Sequence, residues 1–209
     1  MAEKKIRENT LFTKEMIKTV IIFLAVLIIL KFLILEPFLV LGTSMEPNFQ
    51  NQNYIFVEGL TYLYSSPQRG DVVVFKHPEK QCNDFLNASY INRFLPFSPC
   101  TNFIKRIIGL PGETVIIKNG TVTIKNKEHP NGFTLNEPYI PDTANFKLQG
   151  DETTTLGKDE YFTLGDNREP NASLDSREWG PLPRDHIIGK AWLRVLPLSE
   201  IGLIPEPKY

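Results

Sequence analysis

Residues 103–124 read Phe103-Ile104-Lys105-Arg106-Ile107-Ile108-Gly109-Leu110-Pro111-Gly112-Glu113-Thr114-Val115-Ile116-Ile117-Lys118-Asn119-Gly120-Thr121-Val122-Thr123-Ile124. Three short β-branched runs are separated by turn chemistry, which is the pattern of consecutive strands. Phe103 to Ile108 forms the first, closed by Gly109-Leu110-Pro111-Gly112. Thr114–Ile117 and Val122–Ile124 flank Asn119-Gly120, a strong type I′ hairpin signal because both central residues of that turn need positive φ. Period-2 alternation puts Lys105 on the face of Phe103 and Ile107, with Ile104, Arg106 and Ile108 on the other.

The same signal recurs on either side. Tyr54–Val57 and Asp71–Phe75 precede it, the latter behind an Arg69-Gly70 turn, and Tyr161–Leu164 and Ile187–Val195 follow. Sixteen prolines and thirteen glycines supply turns in quantity. No span after residue 37 shows sustained helical periodicity, so that part is expected to be mainly β. Two stretches, about 78–102 and 127–157, are turn-rich and read as insertions, the second as a smaller lobe. With 23 basic against 24 acidic residues, the chain lacks the clustered basic excess of a nucleic-acid-binding protein, and no nucleic-acid partner is expected.

One local bias stands out. From Val20 to Leu41 nearly every residue is apolar, interrupted by Lys31 and Glu36. A cleavable signal peptide would end in a small-residue site, which is missing. A buried soluble helix would carry a polar stripe, also missing. A transmembrane anchor over residues 19–37 fits best, being close to the ~20 residues that span a bilayer. Lys4, Lys5, Arg7, Lys14 and Lys18 precede it, so residues 1–18 form a basic tail expected in the cytoplasm. Residues 38–209 are expected outside the plasma membrane, where Cys82 and Cys100 can pair as a disulfide.

Chemistry is sparse in the expected exterior domain. His77, His129 and His186 form no ligand-spaced pair, and neither a phosphate loop nor a nucleophile elbow occurs. What is left is Ser44, just beyond the apolar run, and Lys105, set among apolar strand residues. A lysine there loses hydration, which lowers its pKa and frees neutral amine to take a serine proton. Taken alone, a serine in a loop is usually a turn or capping residue, and a lysine in a strand is usually edge protection facing solvent.

Four ordered segments place both residues in a wider pattern. They are Gly42-Thr43-Ser44-Met45-Glu46-Pro47, Arg69 to Phe75, Phe103 to Glu113, and Gly165-Asp166-Asn167-Arg168 followed by Ser173-Leu174-Asp175-Ser176-Arg177-Glu178-Trp179-Gly180. Together behind one anchor they resemble the bacterial type I signal peptidases, Ser/Lys proteases of family S26.

The resemblance implies a membrane-bound serine endopeptidase that removes signal peptides from secretory preproteins, cutting after small residues of an Ala-x-Ala type. Ser44 would be the nucleophile, Lys105 the general base, and Ser173 the second serine that orients the lysine amine. The loop before Asp175 is about two residues longer than the family's common pattern. Arg106 with Asp166, and Arg177 with Asp175, would form ion pairs holding the loops. The Ser44 N–H would be one oxyanion donor; Gly42 stands where many relatives have a second, hydroxyl donor, which leaves that donor open. Phe38, Val40, Met45, Phe103 and Ile104 match substrate-pocket positions and equally suit core packing. No metal or cofactor is required, and a monomer in the lipid bilayer is expected. The alternatives are an inactive anchored relative serving as a binding module and the self-cleaving SOS repressors, whose DNA-binding domain has no counterpart here.

Overall fold

The computed structural model describes residues 13–27, 35–78, 102–141, 148, 150–207 and 209. The chain divides into two compact units, Met1–Glu36 and Pro37–Tyr209. In the first, residues 13–27 form helix α1, with exposed side chains. Among the described residues no helix is long and apolar enough to cross a membrane. The apolar run continues through 28–34, which lie outside the described residues, as do Cys82, Cys100 and nearly all of the 78–102 stretch.

The end of the proposed anchor needs correcting. Leu35, Glu36 and Pro37 belong to strand β1 (Leu35–Leu39), whereas from sequence they closed a helix. Pro37 gives the reason: it disfavours helical geometry at Glu36 and pushes it to extended backbone.

The second unit is mainly β. Strands β2 (Tyr54–Glu58), β3 (Val72–Lys76), β4 (Asn102–Gly109), β9 (Glu160–Leu164), β10 (Leu182–Pro183) and β11 (Ile187–Leu196) join β1 in a sheet of order β1-β2-β11-β3-β4-β9-β10. β12 (Gly202–Leu203) pairs on β11. β11 runs antiparallel to both β2 and β3 and so links them. Two single-turn helices, α2 (Thr61–Tyr64) and α3 (Ser176–Trp179), complete the description.

The reason for the continuous Val-Val-Val-Phe run is burial on both faces. Val72 and Val74 pack with Val40, Met45, Phe49, Ile55 and Val57, while Val73 and Phe75 pack with Ile107, Tyr161 and Leu182. A strand between two cores gains nothing from polar alternation.

The hairpin β5 (Thr114–Lys118) and β6 (Thr121–Lys125) turns at Asn119 and Gly120, whose φ values of 51° and 78° are those a type I′ turn requires. With β7 (Phe133–Thr134) and β8 (Glu152–Thr155), both from the 127–157 stretch, it makes a separate sheet of order β7-β6-β5-β8. Val115, Ile117, Val122 and Ile124 point inward onto Ile108, Leu156, Phe162 and Leu164. Each such side chain, when fully buried, contributes roughly 1.5–3 kcal/mol.

Candidate active site

The site lies where the loop after β1 meets strand β4 and the loop after β9. Ser44 sits in a series of tight turns in which Glu46 N–H bonds Thr43 C=O and Phe49 N–H bonds Met45 C=O. Met45 and Phe49 are buried in the core beneath, so the loop is pinned by its apolar side chains while Ser44 stays half-buried. The Arg194 guanidinium lies 5.2 Å from the centroid of the Phe49 ring and donates to the Asn48 carbonyl, closing the loop from the β11 side.

Lys105 is 2% exposed. β4 pairs it with Val73, and its amine lies 2.7 Å from Ser44 Oγ and 2.8 Å from the Ile104 carbonyl oxygen. Burial lowers its pKa to about 8, against the opposing pull of Asp175 and Asp166. Near neutral pH a usable fraction is therefore neutral amine, within reach of a hydroxyl proton. The structure thus brings together a serine and a lysine that lie 61 residues apart in sequence.

Behind Lys105, Arg106 donates to both Asp166 oxygens, from Nε at 2.8 Å and Nη2 at 2.6 Å, and from Nη1 to the Gly70 carbonyl at 2.9 Å. Its guanidinium stacks 4.1 Å from the Tyr139 ring centroid. Asp175 accepts from Arg177 Nε at 2.8 Å and Nη2 at 2.9 Å, from Gly165 N–H at 3.1 Å, and from Ser173 Oγ at 2.8 Å. Burial alone would raise its pKa, but these donors hold the carboxyl below its ordinary value.

Ser173 differs from its sequence expectation. Its hydroxyl donates to Asp175, and the amine of Lys105 bonds Ser44 and Ile104 instead. The carboxylate takes the hydroxyl proton, and the lone pairs of the Ser173 oxygen are left as acceptors. Gly42 has φ of 93° and donates its N–H to Asn51 Oδ1 at 3.0 Å, which commits that amide within the loop. Among the apolar residues singled out from sequence, Val40 and Met45 are core. Phe38 and Ile104 are half-buried against the same cluster, and Phe103 packs on the opposite one.

Several residues escaped sequence reasoning. Asn167 donates its N–H to Ser44 C=O at 3.0 Å and its Nδ2 to Thr43 C=O at 3.1 Å, stitching the serine loop to the β9 loop. Asn48 Nδ2 donates to Asp166 at 2.9 Å. Gly165 is needed for space: a Cβ there would fall 2.2 Å from Ser173 Oγ and 2.4 Å from Ser44 O. Arg168 pairs with Glu137 at 2.5 Å and ties in the second stretch read as an insertion. For Gly165, Asn167 and Arg168 the prior signal was position within the fourth segment; Asn48 and Glu137 lie in none of the four, and the carbonyl partners of Asn167 leave no complementary residue to find. Among the described residues no cluster of His, Cys, Asp and Glu could hold a metal ion.

The family described as signal peptidase, peptidase S26, matches residues 13–196. A signal peptidase I of Leptolyngbya laminosa is 38% identical over 169 residues, covering 79% of this chain and 71% of that one. Signal peptidase I P of Bacillus subtilis subsp. natto is 30% identical over 207 residues, covering 95% and 96%. A solved structure of a signal peptidase I from Enterococcus faecalis V583 aligns with a TM-score of 0.43 and 28% identity, covering 60% of this chain and 97% of that one.

Proposed function

The chain belongs to the signal peptidase family, peptidase S26, and from that membership we propose a Ser44/Lys105 endopeptidase that removes signal peptides from secretory preproteins. The observation that carries the dyad is the 2.7 Å separation of Ser44 Oγ and the Lys105 amine, with that amine titrating near 8.

Neutral Lys105 takes the proton as Ser44 Oγ attacks the scissile carbonyl carbon. The carbonyl π electrons move to oxygen, giving a tetrahedral oxyanion for which the Ser44 N–H would be one donor. A preorganised donor of this kind is worth ~10²–10³ in rate. When the intermediate collapses, the C–N bond breaks and the Lys105 ammonium returns its proton to the departing amine, leaving the signal peptide as an ester on Ser44. Water then attacks that ester, giving its proton to Lys105, and the second collapse frees the signal peptide and returns the proton to Ser44.

Substrate enters as an extended strand, held by main-chain hydrogen bonds. The half-buried Phe38 and Ile104, above Val40 and Met45, and Phe103 on the other cluster offer shallow apolar contact suited to the small side chains of an Ala-x-Ala site. Arg106–Asp166 and Arg177–Asp175 hold the loops. The apolar run from residue 19 up to the start of β1 anchors the protein in the bacterial plasma membrane as a monomer, with 1–18 cytoplasmic and the β-rich part extracytoplasmic. The apolar run from Val20 and the five basic residues before it support this topology. The alternative of an inactive binding module finds no support, since family, nucleophile and amine are all present.

Cleavage of a preprotein in detergent by wild type, Ser44→Ala and Lys105→Ala tests the dyad. Both variants are expected to lose activity by at least about 10⁴-fold. Either one folding normally and cutting at the wild-type rate would remove that residue from the mechanism. The wild-type kcat/KM is expected to rise as pH passes through about 8, because the base works only after losing its proton. A flat profile from pH 6 to 10 would contradict a lysine base.

A further inference from the structure

We propose that the segment carrying Glu206, Pro207 and Tyr209 is a positioning element of the active site, acting on Ser44 through Arg106 and Asp166; this rests on the Ser44/Lys105 reading. Pro207 and Tyr209 lie against Gly70, where an added Cβ would meet Pro207 Cγ and Tyr209 Cε2 at 2.8 Å each. The Tyr209 hydroxyl donates to the Tyr139 hydroxyl at 3.2 Å, and the two rings meet edge to face at 6.5 Å.

Gly70 and Tyr139 are two of the groups that set Arg106. The Gly70 carbonyl accepts from Arg106 Nη1, and the guanidinium sits over the Tyr139 ring, 4.1 Å from its centroid. The segment therefore presses on both of these supports of one buried arginine. It is held near its start as well, because Glu206 pairs with Lys190, which also pairs with Asp71 beside Gly70 at 2.8 Å.

From Arg106 the contact chain runs forward without a gap. Its bidentate pair fixes Asp166, which accepts from Asn48 in the serine loop. Asn48 Nδ2 also donates to the Tyr139 carbonyl at 3.0 Å, so Tyr139 touches the serine loop and Arg106 together. The residue after Asp166 is Asn167, whose two hydrogen bonds hold the Ser44 and Thr43 carbonyls.

The Arg106 and Asp166 side chains are 3% and 0% exposed, and low local dielectric is what keeps such a pair rigid. Tyr209 is itself 44% exposed, and its ring lies against Gly70 and Tyr139, the two supports of that pair. Removing its ring admits water beside Tyr139 and loosens the pair. Ser44 then samples positions farther from the amine, which costs rate and leaves the peptide-binding surface as it was.

The test is full-chain Tyr209→Ala and Tyr209→Phe in detergent, measured below the melting temperature, beside wild type and Ile124→Val. Ile124→Val is a mildly destabilised control in the other sheet. Tyr209→Ala is expected to lower kcat about tenfold with KM within about twofold, the size a sub-ångström misplacement produces. Tyr209→Phe, which keeps the ring on Gly70, is expected to recover most of that kcat, and Ile124→Val to retain wild-type kcat. Wild-type kcat in a folded Tyr209→Ala overturns the proposal, and so does an equal kcat loss in Ile124→Val. Ser44→Ala and Lys105→Ala run in the same assay separate the two failures. If they are dead while Tyr209→Ala is fully active, only the positioning role falls; if they are active, the dyad itself falls.

Discussion

In the four-stranded sheet, side chains alternate inward and outward along β5 and β6, and everything turned inward is aliphatic or aromatic. Where β4 meets the β9 loop in the larger sheet, the buried side chains are instead Lys105, Arg106, Asp166, Asn167, Arg168, Ser173 and Asp175. One region is held by transfer of apolar surface from water, which tolerates small errors of position. The other is held by charge pairs taken out of water, where removing one partner strands the other. The first supplies stability and the second geometry, and they respond to mutation in different currencies.

Arg106→Ala breaks the comparison most severely. It leaves the Asp166 carboxylate buried without its partner, and the expected loss is about 3–5 kcal/mol in urea unfolding. Asp166→Asn added to it should return part of that loss; no recovery would mean that Arg106 acts through packing on Tyr139.

Lys105→Met runs the other way, giving a dead enzyme that is more stable. A pKa moved from 10.5 to about 8 is worth about 3 kcal/mol at about 1.4 kcal/mol per pH unit. That gain is reduced by loss of the hydrogen bonds to Ser44 and Ile104. Below pH 8 the amine is protonated both folded and unfolded, and the folded state bears the full cost of burying the charge. Between about 8 and 10.5 only the unfolded chain takes up the proton, so wild-type stability rises with pH across this window and the advantage of Met shrinks. An advantage that stays constant from pH 7 to 10.5 would show that the amine does not titrate there.

The smallest expected effect lies in the apolar region. Ile124→Val should cost about 1 kcal/mol and leave activity per folded molecule unchanged. A change in kcat would show that the two regions are coupled after all.

The same contrast decides what could be read in advance. The β5–β6 hairpin was legible because Asn119-Gly120 dictates the turn and β-branched alternation dictates the faces. β3 and β4 were legible as apolar runs of strand length. β1 was hidden in the long apolar run, since leucine-rich sequence serves an anchor or an edge strand equally well until Pro37 is weighed. In the site, Ser44 and Lys105 could be proposed because each has a chemical reason to be present. Asn167 could not, because its partners are carbonyl groups that every residue has. The hydroxyl of Ser173 was assigned to the lysine from resemblance, and only coordinates show that Asp175 takes it. The insertion of β11 between β2 and β3 has no local signature whatever.

That insertion has a consequence for how the protease comes into being. β1 and β2 flank the loop that carries Ser44, β4 carries Lys105 and pairs with β3, and β11, one of the last strands in the sequence, pairs with both β2 and β3. Contacts so distant along the chain form slowly, because much loop entropy is lost before they repay it. Until β11 pairs, Ser44 lies with one set of strands and Lys105 with another. Bringing Ser44 against Lys105 therefore belongs to the slow, long-range part of folding and not to either set of strands by itself.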